Sequence, residues 1–157
     1  MKKYGDVVYC LLELLEEYGK DISGSVLNAG SADDRFFYKR FFPKATRYRT
    51  LDIRGEFNPS IIADVQNMPK VETNSEDCII ATFMLYQVPD TRAALREFKR
   101  VLKPNGILFT SFTHIRGAYR IKKFTHAEAL EFSGEFFNVV EAKKEKEGTV
   151  IVAINNK

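Results

Sequence analysis

Residues 78–85 read Cys-Ile-Ile-Ala-Thr-Phe-Met-Leu, a run with none of the polar alternation of a strand that has one face in water. Such a run is buried on both faces, which places it near the centre of a parallel sheet and demands a covering layer on each side. A chain of 157 residues can supply those layers without disulfides or structural metal, and its 45% hydrophobic and 29% charged content is ordinary for a globular protein. Residues 1–157 are therefore expected to form a single domain.

The pattern around that strand alternates. Tyr4, Val7, Val8, Leu11, Leu14, Leu15 and Tyr18 recur at helical spacing and Gly19 is placed to end the helix, so residues 1–20 are expected to pack as a helix on the core. Residues 25–29 form a short apolar strand running into a turn at Gly30. Ser31 is placed to cap a helix whose first turn would carry Asp33 and Asp34. Residues 47–53 read as a second strand, and Ile61-Ile62-Ala63 as a third, bounded by Asn58-Pro59-Ser60 and Asp64. Asp90 or Thr91 starts a helix with Leu95, Phe98, Val101 and Leu102 inward and Arg92, Arg96, Lys99, Arg100 and Lys103 outward. Pro104-Asn105-Gly106 ends it and turns into a fifth strand at 107–112.

Thr125-His-Ala-Glu128 has the form of a capping box for a short helix ending near Gly134. Residues 136–145 and 149–155 then read as strands separated only by Lys146-Glu147-Gly148, too short for a parallel crossover. The fold class that follows is α/β: a mostly parallel, doubly wound seven-stranded sheet with helices on both faces and a C-terminal antiparallel hairpin.

No apolar run reaches the roughly 18 residues of a membrane span, and no apolar segment of signal-peptide type follows the N-terminus, which predicts a cytoplasmic protein. Cys10 and Cys78 lie in apolar runs without a Cys-x-x-Cys partner and are expected to be buried reduced thiols. Two histidines at no ligand spacing argue against a metal site. Net charge is only +3, but Arg35, Lys39, Arg40, Lys44, Arg47 and Arg49 gather in one region and Arg116, Arg120, Lys122 and Lys123 in another. These read as solvated faces, with an anionic substrate or RNA as the alternative.

The chemistry concentrates in Ser25-Val-Leu-Asn-Ala-Gly-Ser-Ala-Asp-Asp34 and in Asp52, which closes the next strand. A turn glycine followed about 20 residues later by a carboxylate is how doubly wound domains hold an adenosine-bearing cofactor, the carboxylate accepting from the ribose hydroxyls. In order and spacing the chain resembles the class I (Rossmann-like) S-adenosylmethionine-dependent methyltransferases, specifically the small-molecule type 11 group, from about Ser23 to the C-terminus. Four stretches carry the resemblance: residues 26–32 at the glycine motif, residues 48–69 with Asp52 and Asp64, residues 76–90 at strand four, and residues 95–108 at the helix and turn that follow.

The resemblance implies S-adenosylmethionine as cofactor. The backbone around Asn28, Gly30 and Ser31 would approach its methionyl part, Asp52 and Ile53 its ribose, Asp64 and Val65 its adenine, and Thr82, Phe83 and Met84 would line it at the end of strand four. Asn28 replaces the family's acidic residue, Ala32 and Asp34 replace its second and third glycines, and Tyr86-Gln87 stands where many members have Glu-His. A diphosphate cofactor such as NAD would be repelled by Asp33 and Asp34, whereas a sulfonium and an ammonium tolerate them.

No general base is implied, and the catalytic residues stay unassigned. Tyr86, Gln87, His114 and Arg116 are the candidate substrate residues near the catalytic edge. The short chain has no inserted lid, which suggests an open site or one completed by a second copy or a partner protein. The expected activity is methyl transfer to a small-molecule acceptor. The alternatives are an inactive cofactor-binding or regulatory module of the same fold and an RNA methyltransferase, the latter disfavoured by the lack of an Asn-Pro-Pro-Tyr-type sequence after strand four.

Overall fold

The computed structural model describes residues 5–115 and 121–157. Seven strands form one sheet: β1 Gly24–Ala29, β2 Ala45–Asp52, β3 Ile61–Ile62, β4 Glu76–Ala81, β5 Leu102–Thr113, β6 Asn138–Lys144 and β7 Gly148–Ile154, in the spatial order β3-β2-β1-β4-β5-β7-β6. The pairings from β3 through to β5 are parallel, and β7 lies antiparallel to both β5 and β6. This is the seven-stranded, mostly parallel sheet with a terminal hairpin that the patterning predicts.

Alternate residues of the central strands feed two separate apolar layers, as strand geometry requires. Val26, Cys78, Ile80, Phe109, Val150 and Val152 point to one face, where α1 (Asp6–Gly19) covers them with Leu11, Leu14 and Leu15. Leu27, Ile79, Leu108, Ile151 and Ala153 point to the other, under α2 (Thr91–Val101) and α3 (His126–Phe136). Tyr4 of the α1 pattern lies outside the described residues.

Helix ends follow local chemistry. Asp90 caps α2 by accepting from the Ala93 N–H at 2.9 Å. Thr125 and Glu128 form the expected reciprocal capping box of α3, which runs on past Gly134 to Phe136. Helix α2 ends earlier than its sequence pattern suggests, and β5 begins at once at Leu102. The buried Asn155 side chain explains this sharp exit: it donates to the carbonyls of Lys99, Leu102 and Lys103, satisfying acceptors that a longer helix would have used itself.

The clearest departure lies between β1 and β2. Ser31 caps no α-helix; the segment turns twice and forms only a short 3-10 helix at Tyr38–Phe41. Aromatic packing prevails over the capping signal here. Tyr38 and Phe42 are buried against the sheet, and Phe36 lies between Tyr38 and Phe83.

No helix among the described residues is long and apolar enough to cross a membrane. Cys78 is fully buried, and Cys10 donates its thiol hydrogen to Glu145 Oε1 at 3.2 Å, with burial and that carboxylate pushing its pKa up to about 11.

Candidate active site

The carboxyl ends of β1, β2 and β4 open into a cavity of about 510 Å³. Open α/β sheets bind ligands at this edge because neighbouring connections diverge there. All ten residues assigned to a cofactor from the sequence lie on its walls: Asn28, Gly30, Ser31, Asp52, Ile53, Asp64, Val65, Thr82, Phe83 and Met84. Tyr86 and Gln87 join them, and so does Asp34, which the sequence pattern had placed on a helical turn.

The turn after β1 is held by its own backbone. The N–H groups of Gly30 and Ser31 both donate to the Leu51 carbonyl, at 2.7 and 3.0 Å, and the Ala32 N–H donates to Asp52 Oδ2 at 2.8 Å. Gly30 has φ +71°, and a Cβ there would come within 2.8 Å of Met84 Cγ. Its glycine is therefore required by the packing of Met84 as well as by the turn. Ala32 and Asp34 each have φ +46°, so the two positions where the resemblance expects glycine keep a left-handed backbone without one.

Asp52 is 4% exposed. Besides Ala32, its carboxylate accepts from the Arg54 N–H at 2.9 Å and Nε at 3.3 Å. A carboxylate has about four acceptor positions, so capacity remains for a hydroxyl-bearing ligand. Asp64 accepts from the backbone and the side-chain amide of Gln66, closing the loop toward Asn67 while lining the cavity. Its loop-closing role and its place on the wall coexist.

At the floor, Asn28 donates its Nδ2 hydrogen to Asp34 Oδ1 at 2.9 Å, and Tyr48 donates its hydroxyl to Asp34 Oδ2 at 3.5 Å. Burial pushes the Asp34 pKa above the ordinary carboxylate range, despite the hydrogen bonds that oppose it. Asn28 thus carries no charge itself but holds one in place. Across the floor the Tyr38 hydroxyl meets Thr82 Oγ1 at 3.0 Å. Phe83 adopts φ +56°, uncommon for an aromatic residue, and its N–H is fixed by Ser111 Oγ at 2.8 Å.

A second cavity of about 210 Å³ adjoins the first, the two sharing Val8, Phe83 and Tyr86 as walls. His114 lines neither. Its Nε2 pairs with Thr149 Oγ1 at 2.8 Å, the hydroxyl that His126 Nδ1 also approaches at 2.9 Å, so the ring is held back on the hairpin. Desolvation, with charge repulsion from His126 and Lys144, lowers the His114 pKa. Arg116 lies outside the described residues, as does Arg120. The first basic region is largely consumed by ion pairs: Arg35 with Asp33, Lys44 with Asp21, and Arg47 and Arg49 with Glu76.

Comparison with known proteins bears on this geometry. Residues 40–110 match a family described as a methyltransferase domain. A structure of a 1,6-didemethyltoxoflavin-N1-methyltransferase from Burkholderia thailandensis, bound to its substrate and S-adenosylhomocysteine, superposes with TM-score 0.72 at 16% identity, covering 97% of this chain and 82% of that one. A chain from Haloferax volcanii, seen in complex with the Trm112 methyltransferase activator, gives 0.76 at 14% identity over 95% and 90%. The fold is that of the class I S-adenosylmethionine-dependent methyltransferases. Among curated proteins, the thiol S-methyltransferase TMT1B of Rattus norvegicus is 37% identical over 54 residues, 34% of this chain. That match spans 22% of the relative's length.

The crossover between β1 and β2 holds a 3-10 helix and no α-helix, which has an electrostatic consequence. The segment between Gly30 and β2 forms no α-helix, so the turn after β1 presents no α-helix N-terminus to attract a diphosphate. Among the described residues, Asp33, Asp34, Asp52 and Asp64 line the cavity against only Arg35 and Arg54, both of which already pair with a carboxylate. The walls favour a cation. A sulfonium donor with an α-ammonium fits that charge pattern.

Proposed function

We propose that this protein is a methyltransferase that binds S-adenosylmethionine in the larger cavity and acts on a small-molecule acceptor. The observation that carries this reading is the acidic, helix-free turn after β1, joined to Asp52 at the end of β2. Asp52 would hold the ribose, with Ile53 against the nucleoside. Asp64 and the Val65 backbone would meet the adenine edge. Asn28, Gly30 and Ser31 would border the amino-acid end, with Asp34 supplying the carboxylate that Asn28 lacks. When bound, the cofactor supplies a methyl group activated by its sulfonium.

Alkyl transfer of this kind depends on alignment and the exclusion of water more than on acid–base work. Phe83, locked in its left-handed conformation, and Met84, packed on Gly30, would fix the walls around the reacting centre. Tyr86 and Gln87, in the short turn after β4, would border the acceptor. His114 is not carried forward, because its ring is engaged on the hairpin. The ion pairs made by Arg35, Lys44, Arg47 and Arg49 support a small acceptor over RNA.

Titration calorimetry with S-adenosylhomocysteine and with NAD tests the reading. The first ligand is expected to bind and the second is not, and Asp52→Asn should weaken the first by about ten-fold or more while the variant still folds. Absence of S-adenosylhomocysteine binding at millimolar concentration, or tighter binding of NAD, would refute it.

A further inference from the structure

The smaller cavity is walled mainly by apolar groups: Val7 and Val8 from α1, Phe83 after β4, Phe112 from β5, and Ile115. Its neutral polar groups are largely engaged. Ser111 Oγ accepts from the Phe83 N–H, Thr113 Oγ1 donates to the Glu147 carbonyl, and the His114 N–H donates to that same carbonyl at 2.8 Å. Among the described residues lining it, Glu147 alone carries a charge, and it comes from the tight turn between β6 and β7.

Among the described residues, no cation pairs with the Glu147 carboxylate. Its Oε2 is buried and has no hydrogen-bond partner. The neighbouring Gly5 presents no side chain to it, since a Cβ there would lie 3.7 Å from the carboxyl carbon. A carboxylate oxygen withdrawn from water without a donor is costly, and a ligand that brings a donor recovers that cost on binding. An apolar wall with one unmatched carboxylate selects for a cationic or N–H-bearing head on an apolar body.

From this geometry we infer that the smaller cavity binds a small, largely apolar amine, with Glu147 accepting from its nitrogen. The inference rests on the methyltransferase reading for its meaning, because Val8, Phe83 and Tyr86 form walls common to this cavity and the proposed donor site. A molecule held there lies beside the donor. Glu147 is then a specificity-determining residue: it rewards an amine, gives a neutral alcohol of the same shape less, and opposes a thiolate by like charge.

The experiment is calorimetric titration of 2-phenylethylamine, 2-phenylethanol and 2-phenylethanethiol into the protein with and without S-adenosylhomocysteine, repeated with Glu147→Gln. The turn position and partial exposure of Glu147 allow glutamine without disturbing the core, and unchanged thermal unfolding with unchanged S-adenosylhomocysteine affinity verifies that the variant is intact. The amine is expected to bind the unaltered protein about ten-fold or more tightly than the alcohol, and the preference should vanish in Glu147→Gln. Equal binding of amine and alcohol, tighter binding of the thiol, a preference that survives in the variant, or no binding of the amine overturns the inference. Failure of S-adenosylhomocysteine to bind would instead refute the donor reading, which the same titrations report separately.

Discussion

Asp34 is held in a place that does not suit a carboxylate. It is half-buried, its backbone is left-handed, and its pKa is raised chiefly by desolvation. A carboxylate whose pKa is higher in the folded than in the unfolded state contributes stability that is present below its ordinary range and lost as pH rises through the raised value. At neutral pH the charge therefore works against folding, and a binding role explains its retention. Asp34→Asn should leave the thermal unfolding midpoint at pH 7 unchanged or higher. The same variant should bind S-adenosylhomocysteine about ten-fold more weakly, yet bind 5′-methylthioadenosine, which lacks the amino-acid arm, as the unaltered protein does. Because the ionised form attracts the α-ammonium, affinity for S-adenosylhomocysteine should fall on acidification into the Asp34 range, and the variant should lose that dependence. Equal losses for both ligands would show that Asp34 only shapes the loop. The sequence pattern placed Asp34 on a helical turn because a local signal, Ser31 followed by two carboxylates, does not report that Asn28 and Tyr48 are waiting six and fourteen residues away.

Elements were legible where one interaction type set them. The period-2 and continuous apolar runs locate all seven strands, since burial on the sheet faces decides them, and the Thr125–Glu128 box locates the start of α3. Removing that cap with Thr125→Ala should cost about 1 kcal/mol, measured by urea unfolding. The crossover between β1 and β2 was illegible because two tendencies compete there. Helix capping at Ser31 is worth little beside the burial of Tyr38 and Phe42 and the stacking of Phe36. The winning conformation forces Ala32, Asp34 and Phe37 into the left-handed region. Ala32→Gly should relieve one of these and stabilise the protein by about 0.5–1 kcal/mol, after allowing for glycine's greater freedom when unfolded. A destabilised Ala32→Gly would show that the methyl group's own contacts outweigh the strain. Glu147 stayed invisible for a related reason: a charged residue in a three-residue hairpin link looks like solvent-facing turn chemistry until β7 is seen to bring it against α1 and β5.

At the scale of the molecule, the two ends of the parallel strands do different work. The carboxyl ends carry the cavities, while toward the amino ends the fully buried Glu76 at the start of β4 gathers Arg47 and Arg49 from β2 and a hydrogen bond from Ser75. The Arg49 side chain is 24% exposed and that of Arg47 is 48%, so Arg49 is the partner whose loss leaves the carboxylate least compensated. Stripping a buried charge of its partner is far more damaging than removing a surface pair. Arg49→Met should therefore destabilise the fold by about 3 kcal/mol, and Arg47→Met by distinctly less, because Arg49 and Ser75 still serve Glu76. Neither substitution touches a residue of either cavity, so affinity for S-adenosylhomocysteine, measured below the unfolding transition, should be unchanged in both. A loss of affinity in Arg49→Met without unfolding would mean that the register of β1 against β2, which sets Asp52 beside the Gly30 turn, depends on the ion cluster at the far end of the sheet.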